Sequence, residues 1–345
     1  MEVSRDRFLA LKTMINAVRR AAHLYAQNRS PHAFLQAITF LARKVSGRFP
    51  PIIAHIAVTN SCQLKCPHCY SFIQNRSSSP EIPTTELLKV LDQLKEMGTL
   101  QVLFTGGEPL MRTDIFELIA HAHRIGMLTR MSTNGYLLDQ ACAAKLKSAG
   151  LDQCGVSIDQ VEADAHDSFR GMPGSHARAL QAFGYLRQYN IHRKMLVSTS
   201  HAKIASGLEP FVELGKKLKV NSYFFTTPYL SGRWNESYKE ALSEDEMSSL
   251  RRLLKYSSVI IEFSTPQTNC CAYDKTVLSI NPMGDVTPCP AVPFSLGNIR
   301  SEPLAAIWHR HVSALNLESR GKCPLNTPQE RNQMKAHCDS VLSRK

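Results

Sequence analysis

The chain has 345 residues, of which 43% are hydrophobic, and carries a formal net charge of +12. This length allows one large α/β domain with a smaller addition, and no apolar run approaches the roughly 18 residues of a membrane-spanning helix. The N-terminus lacks the apolar core and cleavage site of a secretion signal, so a cytoplasmic location is expected. Ten cysteines, three of them between positions 62 and 69, indicate metal ligation more than disulfide bonds.

Residues 1–50 form a basic segment with a net charge of +7, from nine Lys and Arg against two acidic residues. Apolar residues spaced three or four apart from Phe8 to Val45 predict an amphipathic helical extension, interrupted near Pro31. Such a segment suits an acidic substrate or contact with an anionic membrane surface, and a solvated or self-packed helix face explains it equally well. Because no aromatic-rich basic stripe or known nucleic-acid motif occurs, no nucleic-acid partner is expected.

Strands and helices alternate through residues 51–230. The predicted strands are 52–58, 100–105, 128–132, 153–158, 195–200 and 222–226. The predicted helices are 85–97, 115–124, 141–149, 177–189 and 208–218. This alternation, with six successive strands, predicts an α/β fold, a partial (β/α)6 TIM-like barrel with its chemistry on the loops at the carboxyl ends of the strands.

The alternation stops after residue 230. A capping box of Ser243 and Glu246 predicts a helix in a connecting region, residues 231–264, which also holds a strand. Two further short strands, 276–281 and 285–288, are predicted around a turn at Gly284. We interpret residues 265–345 as a separate small cysteine-rich domain.

Three cysteines stand on a short loop directly after the first predicted strand, with the spacing C-x3-C-x2-C: Cys62, Cys66 and Cys69. Three thiolates on one loop can hold three irons of a [4Fe–4S] cluster and leave the fourth iron open to a chelating ligand. The alternative is a structural zinc site, which needs four ligands and would take His68 as the fourth.

This loop resembles the signature of the radical S-adenosylmethionine (SAM) superfamily. The resemblance implies that the open iron binds the amino and carboxylate groups of SAM, and that cluster reduction cleaves SAM to methionine and a 5′-deoxyadenosyl radical. It also implies a flavodoxin- or ferredoxin-type electron donor. His68 stands where the family often carries an aromatic residue, and we expect its ring to pack in the same way.

Further motifs follow successive predicted strands in the order that the family shows, over residues 52–230. The resemblance implies that Glu108, in the motif Gly106-Gly107-Glu108, holds the SAM amino group, with the paired glycines allowing close backbone approach. It assigns the SAM ribose and carboxylate to polar residues after the third and fourth strands. The ribose-contacting candidates are Ser132, Asn134 and Ser157, and the candidate for the carboxylate is Arg170.

The C-terminal cysteines resemble the auxiliary-cluster ligands of SPASM and twitch domains. A full SPASM domain has a dense downstream cysteine group that is absent here, so the resemblance implies one auxiliary [4Fe–4S] cluster. Its candidate ligands are Cys271 (or its neighbour Cys270), Cys289, Cys323 and Cys338. Ordinary buried thiols are the alternative, and we predict that interpretation for Cys142 and Cys154, which lie in a predicted helix and strand.

The resemblance implies an enzyme that abstracts hydrogen from an unactivated carbon, and an auxiliary cluster favours oxidation, decarboxylation or bond formation. We favour a small acidic substrate, a cofactor or pigment precursor such as a tetrapyrrole, because of the basic N-terminal segment. Cross-linking or epimerisation of a ribosomal peptide and modification of a sugar or nucleoside are alternatives. An iron–sulfur electron carrier that does not cleave SAM is a further alternative, of a different class.

Overall fold

The computed structural model describes residues 50–70, 80–228, 231–233, 242–261, 275, 277–314 and 328–344. The predicted helical extension and the candidate ligands Cys270, Cys271 and Cys323 lie outside these residues. None of the helices in the described ranges combines the length and apolar character needed to cross a lipid bilayer.

Seven parallel strands lie side by side in chain order. The alternating pattern predicts the first six, and the seventh is the strand predicted in the connecting region. They are β1 (Ile53–Thr59), β2 (Gln101–Gly106), β3 (Leu128–Thr133), β4 (Gln153–Ser157), β5 (His192–Ser198), β6 (Ser222–Thr226) and β7 (Val259–Ile261). Parallel neighbours place all their carboxyl ends at one edge, which is where the cysteine loop and the later motifs lie.

Helices connect the strands and cover one face of the sheet. They are α1 (Thr84–Met97), α2 (Ile115–Arg124), α3 (Gln140–Ser148), α4 (Ala163–Arg170), α5 (Ser175–Gln188), α6 (His201–Ser206), α7 (Glu209–Lys217) and α8 (Glu244–Arg251). The sequence prediction omitted α4 and α6. The capping box of α8 is present, because the Ser243 side chain accepts from the Glu246 N–H and the Glu246 carboxylate accepts from the Ser243 N–H.

Alternate residues of each strand point to opposite faces of the sheet. One face packs against the helices and forms the hydrophobic core, with Ile56, Phe104, Met131, Val156 and Met195 buried there. We call the opposite, concave side the lumen face. Cys154 is fully buried in the core and half-buried Cys142 packs against it, which confirms the prediction for both.

The C-terminal strands extend the same sheet. They are β8 (Val277–Ile280), β9 (Asp285–Thr287) and β10 (Gly297–Asn298), followed by helices α9 (Leu304–Ala314) and α10 (Pro328–Leu342). Strand β8 pairs in parallel with β1, and β9 and β10 continue the sheet antiparallel. The predicted turn between two short strands is therefore present, and its hairpin abuts the first barrel strand.

Candidate active site

The cysteine loop leaves the carboxyl end of β1 and is held by its first residues. Glu81 Oε1 accepts from Thr59 Oγ1 at 3.0 Å and from the Asn60 N–H at 2.7 Å. Of the three thiols, that of Cys62 belongs to an exposed residue, Cys66 is buried and Cys69 is half-buried. Within eight positions, the loop therefore carries one exposed, one buried and one half-buried cysteine.

The glycine pair after β2 lies directly against this loop. A Cβ at Gly107 would lie 2.3 Å from the Ser61 carbonyl oxygen, and one at Gly106, where φ is +134°, would lie 2.4 Å from the Thr59 oxygen. The Gly107 N–H donates to Thr59 O at 2.8 Å. The close backbone approach that the sequence predicts therefore includes the chain's own cysteine loop.

Arg170, at the end of α4, also reaches the loop. Its Nη1 lies 3.4 Å from Cys66 Sγ, and its Nη2 lies 2.5 Å from Asp159 Oδ2. Its carbonyl oxygen accepts from the Lys65 N–H at 3.1 Å. Its Nε is buried and has no hydrogen-bond partner among the described residues. The arginine predicted to face SAM thus stands beside the thiols with one N–H available.

Asp159 lies at the centre of a buried group of charges that the sequence analysis did not identify. Its fully buried carboxylate is 3.5 Å from Lys203 Nζ and 3.7 Å from His68 Nε2, and it accepts from the Ser198 N–H at 3.2 Å. Burial raises the pKa of Asp159, but the charges of Arg170 and Lys203 outweigh it and hold that pKa well below its usual range. Its position directly after β4 was the available signal.

His68 uses its ring for packing, as predicted. The imidazole stacks on Phe169 with centroids 4.9 Å apart and planes at 17°, and Lys203 Nζ lies 4.7 Å from the same Phe169 ring. Burial lowers the pKa of His68 to about 4, so its ring is neutral at pH 7.

Glu108 is fully buried at the end of β2 and binds the end of β3. Its Oε1 accepts from Thr133 Oγ1 at 2.7 Å and from the Leu110 N–H at 3.2 Å, and its Oε2 accepts from the Asn134 N–H at 2.8 Å. Burial raises the pKa of Glu108 despite these hydrogen bonds. Because Oε2 receives one hydrogen bond here, it retains a lone pair for an ammonium group.

The three predicted ribose-contacting residues lie in two different parts of the site. Ser132 and Ser157 fall on the lumen face of β3 and β4, since Met131 and Val156 belong to the core. Asn134 lies against the cysteine loop, where its Nδ2 is 3.9 Å from Cys62 Sγ and its Oδ1 accepts from Gln63 Nε2 at 3.3 Å.

A short segment after β6, residues 231–233, covers the other side of the loop and was not identified from sequence. The Arg233 N–H donates to Cys69 O at 3.0 Å, and Arg233 Nη1 donates to Cys66 O at 3.3 Å. A Cβ at Gly232, where φ is +63°, would lie 2.2 Å from that Cys69 oxygen. Only glycine allows this contact, a signal visible in the sequence only as an isolated Ser-Gly-Arg.

Two of the C-terminal candidate ligands are described. Cys289 follows β9 and is buried, and Cys338 lies on α10 and is fully buried. Burial raises the pKa of Cys338 to about 12. Beside it, His337 Nε2 lies 2.9 Å from His311 Nδ1 and joins α10 to α9.

The loop fits a cluster held by three cysteines. N–H groups of Arg170 and Asn134 are directed at two of the sulfurs, as expected around thiolates bound to iron. Among the described His, Cys, Asp and Glu side chains, no three lie close enough together to bind one metal ion. In a cubane cluster, by contrast, each thiolate binds a different iron. Arg170 Nε and Gln63 Oε1, buried without partners in the described part of the chain, suit a polar ligand beside the loop.

Comparison with known proteins agrees with this geometry. The family model described as Radical SAM superfamily matches residues 56–202, and the SPASM model, an iron-sulfur cluster-binding domain, matches residues 270–338. An AdoMet-dependent heme synthase of Methanosarcina barkeri is 29% identical over 301 residues, which cover 77% of this chain and 85% of the relative. A PqqA peptide cyclase of Rhizobium meliloti is 28% identical over 287 residues, which cover 78% and 76%.

Solved structures share the fold. SuiB of Streptococcus suis bound to S-adenosylmethionine superposes with a TM-score of 0.63 at 19% identity, over 80% of this chain and 70% of that one. Native anSMEcpe with bound AdoMet gives 0.62 at 16% identity, over 85% and 97%. The two family models place the chain in the radical SAM superfamily, as an enzyme with a C-terminal SPASM domain whose cofactors are a [4Fe–4S] cluster, SAM and auxiliary iron–sulfur.

Proposed function

We propose that this enzyme acts on a small acidic tetrapyrrole, a precursor of a heme-type cofactor or pigment, and oxidises or decarboxylates it. The observation that carries the proposal is the similarity to AdoMet-dependent heme synthases over most of the length of both chains. The partial match to an Fe-coproporphyrin III synthase of Methanosarcina barkeri supports the same substrate class.

We assign the SAM-binding [4Fe–4S] cluster to Cys62, Cys66 and Cys69. When bound and reduced, this cluster supplies the cleavage of SAM that yields a hydrogen-abstracting 5′-deoxyadenosyl radical. The Arg170 guanidinium donates to Cys66 Sγ and stabilises its thiolate form. The fixed backbone of the glycine pair holds the loop from the opposite side.

The same geometry supports the proposed contacts to SAM. Glu108 Oε2 would accept from the SAM ammonium through its remaining lone pair, and Arg170 Nε would donate to the SAM carboxylate. Ser132 and Ser157 on the lumen face, and Asn134 beside the loop, would contact the ribose. Asp159 holds Arg170 in place and balances its charge.

For the auxiliary cluster we propose Cys271, Cys289, Cys323 and Cys338 as ligands. Iron analysis of anaerobically reconstituted protein should give about eight irons per chain for two [4Fe–4S] clusters. A Cys289→Ala, Cys338→Ala double variant should give about four, because the first cluster does not depend on these thiols. About four irons in the wild-type protein would contradict the second cluster.

We also propose a flavodoxin- or ferredoxin-type electron donor and contact of the basic N-terminal segment with an anionic membrane surface. The net charge of +7 over residues 1–50 supports both, because each partner is acidic. Vesicle co-sedimentation with and without anionic lipid tests the second, and binding that is equal on neutral vesicles would contradict it.

The substrate is tested by SAM cleavage. Reduced holoenzyme with SAM and Fe-coproporphyrin III should release 5′-deoxyadenosine well above the rate without substrate, together with a tetrapyrrole of changed mass. A Cys62→Ala variant should release none, because the loop loses a cluster ligand. Release that no tetrapyrrole stimulates would remove this substrate class.

A peptide substrate is the second candidate, because PqqA peptide cyclases match over a similar share of the chain. In the same assay, a precursor peptide that stimulates 5′-deoxyadenosine release where tetrapyrroles do not would favour this candidate. Mass spectrometry would then show a peptide lighter by two hydrogens if a bond is formed between two of its residues.

A further inference from the structure

The lumen face carries a layer of basic side chains below the candidate SAM site. Strand register places His55, Arg130 and His192 in one row across β1, β3 and β5, through the intervening Leu103 and Gln153. Lys194 lies one row nearer the cysteine loop. That row also contains Ser132, whose pairing partner Gly155 is paired in turn with Lys194.

Arg130 and Lys194 have no acidic partner among the described residues of the lumen face. The lumen-facing positions of β1 to β8 contain neither Asp nor Glu. Arg130 Nη1 donates to the neutral amide of Gln101 at 3.1 Å, and its Nε is buried without a partner in the described part of the chain. The Lys194 ammonium lies over the Phe224 ring, 5.7 Å from its centroid.

The pKa values of these residues agree with the lack of an acidic partner in the described part of the lumen. Burial, followed by the charge of Arg130, lowers the pKa of Lys194 well below its usual value, and the same two causes lower the pKa of His55 to about 3. Burial and the charges of Lys194, Arg193 and Arg130 lower the pKa of His192 to about 4. Burial of a cation without a counter-ion is unfavourable, so an anion that enters the lumen and pairs with Arg130 or Lys194 relieves this cost.

We propose that Arg130 and Lys194 form a carboxylate-binding site on the lumen face, which anchors an acidic arm of the substrate below SAM. Naming the arm a tetrapyrrole propionate rests on the proposed function; the anion site itself rests on the charges described above. Arg130 lies two residues below Ser132 on β3, about 7 Å along the strand. The anchored arm therefore lies on the amino-terminal side of the SAM site and directs the rest of the substrate towards the cysteine loop.

Gly155 lies in the row of the same site. It stands between Ser132 and Lys194 and adds no side chain of its own to that row. A Cβ at this position would lie 2.9 Å from the Leu196 side chain, so the strand is closely packed without it.

Two experiments on the anaerobic holoenzyme test the site. The first measures the Kd of Fe-coproporphyrin III and of its tetramethyl ester, which has the same ring without charged arms. Wild-type enzyme should bind the free acid at least tenfold more tightly than the ester. Either Arg130→Gln or Lys194→Met should lower the ratio of the two Kd values by about tenfold or more. The exposed-cation controls Lys216→Met and Arg124→Gln should retain wild-type preference.

The second experiment does not depend on turnover. An amine-acylating reagent is applied with and without the free acid or the ester, and modification of Lys194 is read by mass spectrometry. The free acid should protect Lys194 and the ester should not. Thermal unfolding tests whether Lys194→Met is folded. The variant should be at least as stable as wild type because a buried amine is removed.

The outcomes separate the two proposals. Protection of Lys194 by the acid without SAM cleavage supports the anion site and overturns the tetrapyrrole reaction. SAM cleavage with equal Lys194 labelling and unchanged Kd in both variants overturns the anion site and leaves the reaction standing. Absence of both effects overturns both.

Discussion

At the scale of single residues, Asp159 balances the charge beneath the cysteine loop. Its carboxylate faces the cations of Arg170 and Lys203, and no part of it reaches solvent. The sequence identified Arg170 by its motif but gave no reason to connect it with Lys203. This pairing could not be predicted because Asp159 and Lys203 are 44 positions apart and meet only when β4 and α6 are packed.

Asp159→Asn should therefore destabilise the fold. The amide preserves the shape but leaves the Arg170 and Lys203 charges buried without a counter-ion, at a cost of about 3–5 kcal/mol. Chemical unfolding of the anaerobic protein measures this loss of unfolding free energy. The half-exposed Asp92, which pairs with His121, supplies the control Asp92→Asn, for which we expect a change below about 1 kcal/mol. Equal stability of the two variants would contradict the role given to Asp159.

Gly107→Ala should displace the cysteine loop, because the new methyl group would lie 2.3 Å from the Ser61 carbonyl oxygen. We expect the variant to fold but to retain less iron after anaerobic reconstitution. The matched control is Gly184→Ala within α5, where an added Cβ meets nothing within 4 Å. That change should keep wild-type iron content and stabilise by about 0.5–1 kcal/mol. Full iron retention in Gly107→Ala would show that the close approach is dispensable.

At the scale of elements, the longer helices and the six barrel strands were predictable because their apolar residues recur at helical or alternating spacing. Helix α4 was missed for a physical reason. Its buried residues are His166 and Arg170, which are buried through polar contacts, so hydrophobic periodicity gives no signal. Helix α6 has six residues and was missed because it is too short for a periodic pattern.

The capping box at the start of α8 stabilises that helix, and this contribution can be predicted from the sequence alone. Ser243→Ala removes the side-chain acceptor for the Glu246 N–H and should cost about 1 kcal/mol. Ser243→Asp retains a side-chain acceptor and should stay close to wild type. Urea unfolding midpoints test both, and an alanine variant as stable as the aspartate variant would show that this cap contributes nothing measurable.

At the scale of the whole molecule, the C-terminal hairpin joins the barrel by pairing β8 with β1, for example Ile53 opposite Val277. We predicted the two strands from their local pattern. Their partner could not be predicted, because register between distant segments depends on which sheet edge remains open after the barrel strands have paired. The division into core and cysteine-rich domain at residue 265 stays a prediction.

Stability should fall in mild acid, and His311 should contribute to this fall. Burial, with the nearby His337 and Lys275, lowers its pKa to about 3 from an ordinary 6.5. The unfolded chain therefore binds a proton that the folded chain excludes, so this contribution is present above pH 6.5 and is lost as pH falls towards 3. Between pH 7.5 and 5.5 it amounts to about 1 kcal/mol.

Replacing His311 with Gln should make the unfolding free energy less dependent on pH over this range, although the variant starts from a lower stability. His309 is exposed on the same helix, and His309→Gln serves as the control for the loss of a histidine side chain. Parallel slopes for His311→Gln and wild type would contradict a neutral buried imidazole at this position.

The sequence by itself determined the cofactor chemistry and the kind of fold. This information is local in the sequence: it comes from the spacing of Cys62, Cys66 and Cys69, the order of the later motifs and the alternating periodicity. Such features can be identified without knowing which residues contact each other in the fold. The tertiary structure alone decided how charge is distributed. Asp159 compensates Arg170 below the loop, whereas Arg130 and Lys194 have no acidic partner among the described residues of the lumen. The physical reason is that the free energy of a charge depends on its burial and on its neighbours, and these come from strands and helices far apart in the chain.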